Sequence, residues 1–183
     1  MIYNLSLRVA GILAGLFLLF VSVPGLVMPA SVRKFVTALP RSRGMGIILL
    51  SLAFIWSFWL LMTMEMGEFS SFRKPLLIGL PIGYFLVLRF VEEFLAVRAL
   101  GILFLLAAEP LLEAAFLRYE TSRLLVTVFA YILIVAGLIW VTMPYLLRDH
   151  INWSTRSPGR WQALNVLALL YGAAILAFAL IRS

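Results

Sequence analysis

Two glutamates four residues apart, Glu109 and Glu113, stand in an otherwise apolar stretch, LGILFLLAAEPLLEAAFL. A spacing of four puts both carboxyls on one face of a helix. With a span over residues 94–117, a rise of about 1.5 Å per residue sets Glu109 roughly 5 Å from the midpoint and Glu113 roughly 11 Å from it. An ionised carboxylate at that depth is costly unless it is paired, hydrated or protonated. Pro110 adds an irregularity beside it, because a proline leaves the Leu106 carbonyl without its usual amide donor. A carboxylate next to a freed carbonyl suits a cation or a proton, as in the broken helices of transporters.

The same residues also have a structural reading, which is the expected one. Glu113 would pair at the membrane interface with Arg8, Arg118 or Arg182, and Glu109 would accept a hydrogen bond from a neighbouring helix and lock the bundle. Arg98 lies eleven residues before Glu109. That places it on nearly the same face about 16 Å away, too far for direct contact. Arg98 then either shares a polar seam with the glutamates or snorkels to the headgroups.

Other chemistry is thin. Cysteine is absent, which excludes disulfides and thiolate ligands, and the one histidine, His150, rules out a multi-histidine metal or haem site. Asp149-His150 is half of a catalytic pair with no serine in a recognisable elbow, so a solvated loop is expected there. Glu92 and Glu93 beside Arg89 suit a solvated turn. No cofactor, no metal and no enzymatic activity are expected.

The elements that would position these residues are apolar runs. Hydrophobic residues make up 64% of the 183-residue chain and the mean hydropathy is +1.08, well beyond a globular composition. Backbone amides in hydrocarbon must be satisfied within their own segment, so runs of this length predict membrane-spanning helices. The expected fold is all-α: a polytopic transmembrane bundle forming one integral membrane domain over residues 1–183. Six spans are placed near 6–28, 44–64, 76–91, 94–117, 124–147 and 161–181. The third run is short and contains Pro81, which leaves five spans plus a re-entrant segment as the alternative. The first run exceeds a usual signal h-region and is expected to be retained. Pro144 is expected to kink the last turn of the fifth span, with polar loops over Ser31–Arg43 and Arg148–Arg160.

Gly11 and Gly15 share one face of the first span in G-x-x-x-G spacing, a candidate helix-packing surface. Intramolecular packing is expected there rather than a dimer contact, with Leu excluded by sterics and Ala mild. Arg8-x-x-Gly11-Ile12-Leu13 recurs as Arg98-x-x-Gly101-Ile102-Leu103. Three spans per half would make an inverted repeat, but later positions drift out of register, so chance is the preferred explanation.

The net charge of +7 comes from scattered basic residues that form no stripe, which argues against nucleic acid. With six spans, one side collects Arg33, Lys34, Arg41, Arg43, Arg89, Arg98, Arg148, Arg156 and Arg160, and the other collects Arg8, Arg73, Lys74, Arg118, Arg123 and Arg182. This bias favours both termini outside, in a multi-pass protein of the plasma (inner) membrane. Short loops and few intramembrane ionisable groups suggest a non-enzymatic accessory or scaffold component of a membrane complex. Its expected partners are the lipid bilayer and other membrane subunits or copies of itself. The alternative is a small transporter or channel using Glu109.

Overall fold

Six of the helices in the computed structural model are long and apolar enough to cross a membrane. The structure describes residue 3 and residues 5–91, 93–120 and 122–181. In chain order these spans are α1 (Leu7–Val27), α3 (Arg43–Thr63), α4 (Arg73–Phe90), α5 (Leu95–Ala115), α6 (Ser122–Thr142) and α8 (Pro158–Ile181). Two shorter helices, α2 (Pro29–Ala38) and α7 (Tyr145–Thr155), fill breaks between them. Local chemistry sets several ends. The Ser6 hydroxyl accepts from the Val9 amide at 3.3 Å to cap α1, and Ser42 accepts from Met45 at 3.2 Å to cap α3.

The third span is a continuous helix through Pro81. Its 18 residues correspond to about 27 Å at 1.5 Å each, close to the hydrocarbon thickness of about 30 Å. The helix is thus long and apolar enough to cross a membrane.

Three expectations need correction. The fifth span ends at Thr142, short of residue 147, and Pro144 caps the separate helix α7 instead of kinking the last turn. Residues 31–43 and 148–160 are largely helical, where loops were expected. The cause is local in each case. Pro29 at the first helical position and Pro144 at the N-cap have a φ suited to a helix start. Apolar residues three and four apart, such as Val32 with Val36 and Leu147 with Ile151, give each short helix one apolar side.

The long helices pack in pairs. α1 runs antiparallel along α8, α5 antiparallel along α6, and α3 lies beside α5 pointing the same way. α4 packs chiefly against α3, where the Ser51 and Tyr84 hydroxyls meet at 2.8 Å. None of the α4 residues is buried. This pairing departs from a three-span inverted repeat, which would match α1–α8 with α5–α4, a pair that is not extensively packed. The recurrent glycines are nonetheless used alike. A Cβ on Gly11 would lie 2.9 Å from Ala179 Cβ on α8, and one on Gly101 would lie 2.9 Å from the Gly137 carbonyl oxygen on α6. The core between the pairs is rich in alanine, including Ala10, Ala14, Ala108 and Ala130, around Phe129 and Ile175. Small side chains let the helix backbones approach where the hydrophobic effect gives little drive for association.

Candidate functional site: an acidic cleft beside α5

One end of the bundle opens into a cleft of about 860 Å³ lined by Thr63, Glu65, Leu105, Ala108, Glu109, Leu112, Glu113, Phe116 and Ile134. The parallel packing of α3 and α5 creates it. The C-terminal end of α3 brings Thr63 and Glu65 to the height of Glu109 and Glu113. The spacing of four in α5 works as expected, turning both carboxyls to the same cavity. Their neighbours in α5, Ala108 and Pro110, are buried.

The first residues of the chain supply partners for this pair. The Tyr3 amide donates to Glu113 Oε2 at 3.2 Å. The Tyr3 hydroxyl accepts from Trp56 Nε1 at 2.7 Å and lies within hydrogen-bonding reach of the Glu109 carboxyl. Its ring packs against Trp59 with centroids 5.5 Å apart. Burial, followed by the nearby carboxylates, raises the Tyr3 phenol above its ordinary pKa. Its proton is therefore retained as a donor. Glu109 Oε2 is buried and finds no hydrogen-bond partner among the described residues. Such an atom is costly unless protonated or solvated.

Sequence reasoning placed the two glutamates correctly on one face but did not find Tyr3, Trp56 or Glu65 as their neighbours. Arg8 and Arg118, the expected partners of Glu113, line a different cavity of about 120 Å³ with Glu120. Arg182 lies outside the described residues. Arg98 is not among the cleft residues. It sits in the first turn of α5, half-buried, and its Nε finds no partner among the described residues.

No set of three or more His, Cys, Asp or Glu side chains converges to hold a metal ion among the described residues. Asp149 is bound by its neighbour Arg148 at 3.0 Å, and His150 is exposed on α7.

The remaining glycines mark where other helices can come. Gly15 meets the Gly172 carbonyl, and Gly46 meets the Ala96 amide and the Leu95 side chain. Gly79 and Gly83 on α4 repeat the same G-x-x-x-G spacing, yet a Cβ on either would find nothing within 4 Å. They line an apolar groove of about 430 Å³ between α3 and α4, with Leu50, Ala53, Phe54 and Ile102 on its walls.

The architecture defines a multi-pass helical membrane protein. No family model, curated protein or solved structure matches the chain.

Proposed function

We propose that this protein is a non-enzymatic accessory or scaffold component of a membrane complex, and that α4 presents the surface its partner occupies. The observation that carries this reading is the open glycine pair Gly79 and Gly83, set in an apolar groove on a helix with no buried residue. Small residues at this spacing let a second helix approach closely and gain dispersion contacts that lipid tails provide less well. The partner is another membrane subunit or a second copy. The basic side of the bundle faces the cytoplasm of a plasma (inner) membrane protein, with both termini outside. Isolation in mild detergent tests the reading. Wild-type protein is expected to carry a stoichiometric partner or to be a homo-oligomer, and Gly79→Leu with Gly83→Leu to release a folded monomer. A monomeric wild type, or an assembly indifferent to both leucines, overturns it.

A second reading has its own support. The cleft carries Glu65, Glu109 and Glu113 beside Pro110 and is open on one side, as a proton or cation entry in a small transporter requires. The bond from the Tyr3 amide favours a structural role for Glu113.

A further inference from the structure

α2 and α7 pack together at the end of the bundle opposite the acidic cleft. α2 carries Arg33 and Lys34 and no acidic residue. Trp161, in the first turns of α8, is buried and its indole N–H donates to the Gly25 carbonyl at 2.7 Å. Asn165 closes the same junction, donating to the Trp161 carbonyl at 2.8 Å. The Gly25 bond fixes the ring, and the Asn165 bond is made to the backbone carbonyl within α8. The Arg33 guanidinium lies over it, 5.4 Å from the ring centroid, and the Arg160 guanidinium lies 5.0 Å from the centroid of Trp153 on α7. Two cations are thus fixed on aromatic faces around the α2, α7 and α8 junction.

A guanidinium stacked on a ring still has its N–H donors pointing outward around its edge, which suits a phosphate oxygen. Arg33 Nε is buried and without a hydrogen-bond partner among the described residues. Exposed apolar side chains lie on the same elements, namely Val27 and Met28 at the end of α1, Phe35 on α2 and Trp153, the ring under Arg160, on α7. A free phosphate ion would have no use for that surface, whereas a lipid puts its headgroup on the arginines and its chains on the apolar residues.

We propose that the α2–α7–α8 junction is a binding site for the phosphate of an anionic phospholipid in the adjacent leaflet, with Arg33 and Arg160 as its principal ligands. Basic residues at such a surface each contribute about fivefold to anionic-lipid affinity. The proposal does not depend on the accessory-component reading or on which leaflet is cytoplasmic.

Lipid exchange on the full-length protein in nanodiscs tests it, using phosphatidylglycerol against phosphatidylcholine and native mass spectrometry to count bound lipid. Wild-type protein is expected to prefer phosphatidylglycerol at least about tenfold, and Arg33→Gln with Arg160→Gln to lose most of that preference. Arg73→Gln with Lys74→Gln, at the other end of the bundle, should leave it intact. High salt should weaken the wild-type preference, a measurement that needs no variant. Equal retention of the two lipids, or a double variant that keeps its preference, overturns the proposal. Displacement of the lipid by millimolar inorganic phosphate overturns it in favour of a soluble-anion site.

Discussion

Gly15 and Gly172 sit face to face where α1 crosses α8, so close that a Cβ built on Gly15 would lie 3.0 Å from the Gly172 carbonyl oxygen. The same Cβ would also lie 3.0 Å from Leu176 Cβ and 3.2 Å from the Leu176 amide nitrogen. Two of these neighbours are backbone atoms, which cannot swing aside as a side chain can. A methyl group fits this crossing only if these neighbours give by a few tenths of an ångström.

The first prediction follows from that contact and revises the expectation that Ala is mild. Gly15→Ala should lower stability by about 1–3 kcal/mol through overpacking, and Gly15→Leu should prevent the native α1–α8 pairing. Thermal unfolding of purified protein in detergent, followed by helical circular dichroism, measures both. An unchanged midpoint for Gly15→Leu is incompatible with the crossing. Gly79→Leu serves as the contrast, since its Cβ meets nothing and the monomer should keep its midpoint.

Tyr3 supports a second prediction. Tyr3→Phe keeps the ring against Trp59 and removes the hydroxyl that accepts from Trp56. The loss should be about 1 kcal/mol, the usual value of one such hydrogen bond. The phenol is held above its ordinary pKa, so the folded state keeps its proton at a pH where the unfolded chain has lost it. Stability must then fall as pH rises past the unfolded value near 10. The wild-type advantage over Tyr3→Phe should accordingly shrink above about pH 10. A difference that is constant with pH would show the phenol to be ordinary in the folded state.

Topology gives a third. The proposed orientation puts Ser70 outside and Ser31 and Ser157 inside, and the chain has no native cysteine to confuse labelling. Single-cysteine variants treated with an impermeant thiol reagent in intact cells should label at Ser70 only. Labelling at Ser31 and Ser157 with none at Ser70 inverts the orientation, and with it the cytoplasmic placement of α2 and α7.

Much of this fold is written in local sequence, because six runs of apolar residues must satisfy their amides as helices. The shared face of Glu109 and Glu113 also follows from spacing alone. What surrounds them does not. Tyr3 and Trp56 reach the cleft from distant parts of the chain, and no periodicity marks a contact between residues 3 and 113. α2 and α7 were missed because a search for apolar runs treats a short amphipathic helix as polar. The G-x-x-x-G spacing is equally limited. It is filled in α1 and open in α4, and only the packing of neighbouring helices distinguishes the two.

The last prediction separates the two functional readings at Glu109. Gln keeps the size and the hydrogen-bonding capacity of the side chain but cannot carry a titratable proton or a negative charge. If Glu109 is a structural acceptor for Tyr3, Glu109→Gln should fold, keep its stability to within about 1 kcal/mol and assemble as the wild type does. If the cleft conducts protons or cations, the same variant should fold but lose flux in reconstituted vesicles containing a pH-sensitive dye. The accessory-component reading expects wild-type vesicles to show no flux above empty ones. Flux in the wild type that disappears in Glu109→Gln would instead assign the cleft to transport. Flux that survives the substitution would remove Glu109 from the conduction path, since no proton could be relayed through an amide in its place.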